Sequence, residues 1–542
     1  MITVSQLTEI LSEGYMAAQA GVIVFLFITG YIFARASFGR MKDRAALTLL
    51  FAYPSGLALF SVSGYLMLCL GIPFNTWTVS GCIILISVPG ICEIMRRERQ
   101  VNITHIGPER AGSVIGEGND SGVDIKMYRK EIAAFLSAVA VVLVISIMLT
   151  SNPFRVAVDN DSFYYFSAYP NAIVSEGRYI KYFDVFLTDA APIGSIVQTL
   201  PYLFGFSETF GIQYFLDLNF VLIFLYALFC ELSESMKRRD ALICSLAAAL
   251  FLVTSTAYLT TAKWVMAGVY FMSYYFMTAY LCYSVSKRRD EGRPYVMMAV
   301  MIVMTSMLRH EGVMLSVVLL MLLSALRGYR GRELALSCAL PMLAAALMYY
   351  IKVFIILDVH PLYAFLTPAK ATFMAFVMLS ALFYLLILRD RLPEKLTGGI
   401  YVLLPVLVIS ANLAILLLRG GRYLGNLYMF YLNVRIGAGW GYFGYIAVFI
   451  VLLLIFKAVS GREAYVLFFD SLMVSYVFSV FLVSFGRGDP LRKGVGDSGN
   501  RVMLTAVPLI VFSLTLRMLT KPGNTAFPAK NDCTGVHNDQ QK

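Results

Sequence analysis

The chain has 542 residues, 59% of them hydrophobic and 14% charged, with a mean hydropathy of +0.73. A water-soluble domain rarely exceeds half apolar, so the composition excludes a soluble globular protein and defines a polytopic membrane protein. The net charge of +11 then needs no nucleic-acid partner, because basic residues collect on the cytoplasmic loops of such proteins.

Residues 1–15 hold no Lys or Arg, unlike the basic start of a cleavable signal, so the first apolar run is expected to stay as an anchor. Apolar runs follow at 16–34, 45–71, 77–94, 132–154, 210–232, 241–260, 265–285, 296–308, 313–326, 335–356, 372–388, 396–418, 440–458, 464–485 and 502–518. Several fall short of the roughly 20 residues a straight span needs. The expected fold is all-α, a transmembrane bundle of about 13–15 helices. The eight cysteines lie mostly inside these runs without a Cys-x-x-Cys pair, which indicates neither a disulfide framework nor a zinc site.

Orientation follows from the basic residues. With the N-terminus outside and every run crossing, 30 of the 44 Lys and Arg fall on the cytoplasmic side, including Arg96-Arg97, Lys237-Arg238-Arg239 and Lys287-Arg288-Arg289. The C-terminus is then cytoplasmic, and three outer segments are long enough to build something: 155–209, Arg419 to Trp440, and Gly486 to Arg501.

The first outer segment opens on Asp159-Asn160-Asp161, just past the uncharged run Ile132 to Phe154. Carboxylates at a membrane mouth are costly unless they face a polar cavity. The pair suits a divalent cation or a general base; Asp161 equally suits the N-cap of a helix from Ser162 onward. That helix is expected to run to Glu176 with a kink at Pro170, ending at Gly177. A second is expected from Ile193 to Phe206, and both have the aromatic and aliphatic content of interfacial helices. Tyr165 and Tyr169 would share a face, either to stack on a sugar or to form an aromatic belt.

Arg309-His310-Glu311-Gly312 separates two apolar runs of about thirteen residues, each rising only ~20 Å against a ~30 Å hydrocarbon core. The triplet is therefore expected below the outer surface, lining an aqueous cavity. Arg309 is the candidate for a phosphate, His310 for acid–base work and Glu311 for the ligand; Arg309 and Glu311 also suit structural pairs with other helices. Arg422 and Arg501, at outer helix ends, could hold an anion by bidentate hydrogen bonds or snorkel to headgroups. Lys352 has the same two readings, and Asp470 is expected to hydrogen-bond another helix.

Together these features resemble the GT-C class of integral-membrane glycosyltransferases. The likeness rests on Asp159-Asn160-Asp161 opening the large outer loop and on its continuation Tyr164-Tyr165 to Tyr169-Pro170-Asn171-Ala172 and Gly177-Arg178-Tyr179. It rests also on the later Arg309-His310-Glu311-Gly312 and on Asn500-Arg501-Val502-Met503-Leu504 before Pro508. It covers roughly 131–518. Family members place the acidic loop after their first helix, whereas here it follows the fourth run. Residues 1–130 would then be an added three-helix module with a cytoplasmic loop, and 519–542 a disordered cytoplasmic tail.

The resemblance implies transfer of a sugar from a polyprenyl-phosphate-linked donor to a glycan, lipid or protein acceptor outside the cytoplasm, in what is expected to be a bacterial plasma membrane. Asp159 and Asp161 would be the acidic pair; no cofactor is required, and a divalent cation on the two is permitted. Arg309, His310, Glu311, Arg422, Arg501, Tyr165 and Tyr169 are the substrate- and phosphate-binding candidates by position. Two other classes fit: a transporter or flippase of lipid-linked or anionic substrates, and a Wzy-like polysaccharide polymerase or ligase using arginines of 419–440.

Overall fold

The computed structural model of the protein describes residues 15–39, 44–105, 137, 140, 164–179, 192–205, 211–255, 258–259, 262, 267–287, 294–326, 328–359, 366–435, 464–486 and 505–519. All regular structure among them is helical. The chain opens with α1 (Tyr15–Phe38), α2 (Arg44–Leu70) and α3 (Thr76–His105). After a π-turn at Tyr164–Ala168 come two short helices, α4 (Tyr169–Glu176) and α5 (Thr199–Leu203). The bundle continues with α6 (Gly211–Ser233), α7 (Arg238–Thr254), α8 (Ala267–Lys287), α9 (Tyr295–Met307) and α10 (Gly312–Ser324). Then follow α11 (Gly331–Ile356), α12 (Pro368–Arg391), α13 (Glu394–Gly398), α14 (Ile400–Leu418), α15 (Gly420–Arg435), α16 (Ala464–Gly486) and α17 (Ala506–Leu519).

Seven helices among the described residues are long and apolar enough to cross a bilayer. The protein is an all-helical integral membrane bundle. Apolar surface alone cannot hold such helices together, because lipid is as apolar as leucine; close backbone approach and interhelical hydrogen bonds must do it. Both devices are present. At the α1–α2 crossing a Cβ on Gly30 would run into the Ala52 carbonyl, and one on Gly56 into that of Leu26. The glycines let the two backbones touch.

The second device centres on α8, which is buried nearly throughout. Its tyrosines fasten the helices around it: Tyr274 donates to the Pro54 carbonyl of α2 (2.7 Å), Tyr275 to Leu315 of α10 (3.1 Å) and Tyr283 to Glu231 of α6 (3.1 Å). Each buried hydroxyl so satisfied avoids a desolvation cost of roughly 1–3 kcal/mol.

One end of the bundle gathers the basic residues. Lys287 bridges Glu231 (2.7 Å) and Glu234 (3.1 Å). Asp390 at the end of α12 accepts from the backbone N–H of Gly331 (2.7 Å) and Arg332 (3.3 Å), capping α11 across chains of sequence far apart. Asp470 is wholly buried and pairs with Arg517 of α17, whose Nε donates at 2.8 Å. The interhelical bond expected of Asp470 is thus an ion pair.

The short apolar runs around Arg309 form a hairpin. Its two feet stand at the basic end, where Arg389 donates to the Ser324 carbonyl and Tyr329 meets both Cys282 and Met298. Its tip, residues 308–311, points toward the far end. The first expected outer-loop helix ends where anticipated, at Gly177 with φ of 66°. The second differs: it is only a 3-10 turn, Ile196–Gln198, and the short α5, and it is tucked in, not laid on the surface. Ile193, Ile196, Val197, Leu200 and Leu203 are all buried. Ile196 lies against Gly64 of α2, and the Leu203 carbonyl accepts from Thr76 of α3. Helix α15 lies in a stretch read from sequence only as an outer segment. It is amphipathic, so no continuous apolar run announced it.

Candidate functional site

The hairpin turns at Leu308–Glu311 because Gly312 permits it: a Cβ there would lie 2.7 Å from the Ser306 carbonyl oxygen and 2.8 Å from that of Thr305. Arg309 Nε and Glu311 Oε1 stand 2.5 Å apart, with the Glu311 side chain only 4% exposed and Arg309 16%. A charge pair taken this far from water holds only if each partner neutralises the other.

Three elements close around the tip. The backbone N–H of Ile193 donates to the Met307 carbonyl (3.0 Å), so the outer segment docks on the hairpin directly. His310, itself buried, packs its ring 6.2 Å from that of Tyr349 on α11. Tyr349 in turn contacts Tyr179 at 6.1 Å, edge-on, and Tyr65 at 6.1 Å. Tyr476 of α16 lies within electrostatic reach of Arg309 and Glu311, with Thr505 beside it.

The outer segment is pinned at further points. Phe74 N–H donates to the Gly177 carbonyl (2.8 Å), Gln198 donates to the Tyr270 hydroxyl (2.7 Å), and Phe166 stacks on the Tyr270 ring. Tyr165 is half-buried against the core and Tyr169 fully buried. Burial pushes the Tyr169 and Tyr179 hydroxyls well above the usual phenol range, so both are neutral at physiological pH. The tip is therefore an ionic pair walled by neutral aromatic groups, a setting that strengthens any electrostatic contact made there.

The candidates separate into three groups. Arg309, His310 and Glu311 share the tip, and Tyr169 lies in electrostatic reach of Tyr349 and Tyr179 beside it. Arg422 stands apart. It is exposed on α15, its guanidinium lies 4.9 Å over the Phe485 ring, and it donates to the Phe485 carbonyl at 3.1 Å. Phe485 is nine residues beyond Tyr476 on α16, a rise of ~13 Å toward the far end. Asp159, Asp161 and Arg501 lie outside the described residues. Among the described residues no three His, Cys, Asp or Glu gather as a metal site would need, and the pair suited to a cation is Asp159 with Asp161.

Asp217 is a carboxylate that the reading by motif passed over. It is buried in the second turn of α6, in electrostatic contact with Tyr270. An acidic residue inside an apolar span was the available signal. Compared with known proteins, the chain matches no family model, no curated relative and no solved structure. What fold and site define is a class: a helical integral membrane protein with an ion pair set at the turn of a short apolar hairpin.

Proposed function

We propose that the protein is a GT-C-like glycosyltransferase that moves a sugar from a polyprenyl-phosphate-linked donor to a hydroxyl-bearing acceptor on the extracytoplasmic side. The observation that carries this reading is the buried Arg309–Glu311 pair at the end away from the basic loops, roofed by the aromatic outer segment. Such an address holds a cation at membrane depth where a lipid phosphate can reach it, and the positive-inside rule assigns that end to the outside.

In the proposed step the acceptor oxygen attacks the anomeric carbon, the bond from that carbon to the phosphate oxygen breaks, and the acceptor proton passes to Asp159. The base contributes about 10²–10⁴ in rate. Arg309 stabilises the departing phosphate as its charge grows, the role preorganised donors play best in a dry site. Glu311 holds the guanidinium in place, and Asp161 caps the helix that follows or shares a cation with Asp159. Tyr349 packs against His310 and Tyr179 against Tyr349, which keeps bulk water from this side of the pair.

A broken hairpin bearing charge also suits a carrier, which makes the transporter or flippase reading the one to test against. The protein reconstituted in proteoliposomes, given labelled polyprenyl-phosphate sugars and membrane-derived acceptors, is expected to yield covalently glycosylated product. Movement of intact donor across the bilayer with no covalent product would replace transfer by transport.

A further inference from the structure

The far end carries a second cationic feature that the transfer step does not use. Arg419, Gly420, Gly421, Arg422 and Phe485 line an open cleft of about 520 Å³. Both guanidiniums are exposed, and no carboxylate among the described residues pairs with either. Arg422 is held by its contacts to the Phe485 carbonyl and ring, so one fork is preorganised. Two such cations three residues apart, with no carboxylate beside them among the described residues, suit a dianion.

The glycines add an independent point. A Cβ at Gly420 or Gly421 would meet nothing within 4 Å, so packing does not require glycine at either position. What the missing side chains provide is backbone open to close approach, which a phosphate needs. The first backbone N–H groups of α15, a 16-residue helix, begin here and lack intrahelical acceptors.

The surroundings say what carries the phosphate. Leu417 (85% exposed) and Leu418 (80%) end α14 beside the cleft. On α15, Leu424, Tyr428 and Tyr431 recur at i, i+4 and i+7 and are all exposed, while Tyr423, Asn426 and Asn433 turn inward. In a membrane bundle such a stripe faces acyl or prenyl chains.

We propose that the Arg419–Arg422 cleft binds the terminal phosphate of a membrane lipid, with the chain lying along the apolar stripe of α14 and α15. Given the proposed transferase activity, that lipid is the polyprenyl phosphate itself, held ~13 Å outward of the level of Tyr476 and so apart from the transfer site. A phosphate monoester presents two charges and three terminal oxygens to the two forks; a phosphodiester headgroup presents one charge and fits less well.

The test uses the full-length protein in detergent, with binding read by microscale thermophoresis. The probes are geranylgeranyl phosphate, geranylgeraniol, phosphatidylglycerol and inorganic phosphate. Geranylgeranyl phosphate is expected to bind at least tenfold tighter than the other three. The double variant Arg419→Ala with Arg422→Ala should lose at least tenfold. The Arg419→Lys, Arg422→Lys pair should fall between, since charge remains and the fork does not. Arg178→Ala, which removes another exposed cation paired to Glu176 at 3.8 Å, should stay within twofold of wild type. Equal binding of phosphatidylglycerol would reduce the cleft to ordinary headgroup contact. Unchanged binding in the double alanine variant, with its melting temperature intact, would overturn the site. Arginine-dependent binding in a protein that transfers no sugar would leave this site standing and remove the transferase reading.

Discussion

Arg309 and Arg422 stand toward the same end of one bundle, yet their surroundings are opposite. Arg309 is sunk in the protein against Glu311, with His310 and aromatic rings around it. Arg422 is exposed, rests on Phe485 and has no carboxylate partner among the described residues. The glycines beside them differ in the same way: Gly312 is required by crowding, whereas Gly421 has open space above it. A buried cation must be neutralised in the folded state and is set to act on charge that appears only during a reaction. An exposed one with no carboxylate beside it among the described residues is set to bind charge that is already there.

The largest expected effect falls on the buried member. Arg309→Met leaves the Glu311 carboxylate buried without its cation and should cost about 3–5 kcal/mol of stability. Arg309→Met combined with Glu311→Leu should recover most of that loss in denaturant titrations while leaving transfer abolished. If the double variant is no more stable than the single one, the pair is not what holds the tip.

Next comes the glycine contrast. Gly312→Ala forces a methyl against two carbonyl oxygens and should cost about 1–3 kcal/mol, whereas Gly421→Ala should move stability by less than about 0.5 kcal/mol. Comparable melting shifts for the two would erase the distinction drawn between tip and cleft. A smaller effect is expected for Arg419→Ala with Arg422→Ala, which should alter stability by less than about 0.5 kcal/mol, as surface changes do. Finally, raising salt from about 0.1 M to 1 M shortens the screening length from ~10 Å to ~3 Å. Phosphate-lipid binding at the exposed arginines should weaken over that range, while the melting difference between wild type and Arg309→Met should persist.

Much of the membrane architecture was readable from residue order. Runs such as 210–232, 335–356 and 464–485 are matched within a few residues by Gly211–Ser233, Gly331–Ile356 and Ala464–Gly486, because lipid imposes length and polarity on each span separately. The hairpin at Arg309 was legible for the same reason: thirteen residues cannot cross. The partners were not. That Arg517 pairs with Asp470, that Asp390 caps α11, and that the Ile193 backbone docks on Met307 all depend on packing between distant segments. Helix α15 escaped because its stripe at 424, 428 and 431 is interrupted by polar residues that turn inward. Asp217 was visible in the same way as Asp470, as a charge in an apolar run, but its neighbour Tyr270 lies on a distant segment.

Asp159 and the Arg309 tip are assigned one reaction, and sugar transfer in proteoliposomes carrying wild-type protein or Asp159→Asn reads it out. The wild type is expected to transfer sugar covalently from a labelled polyprenyl-phosphate donor. The variant should lose at least about 10²-fold in rate, with both proteins inserting and accumulating equally. Turnover by Asp159→Asn close to that of wild type would contradict that assignment.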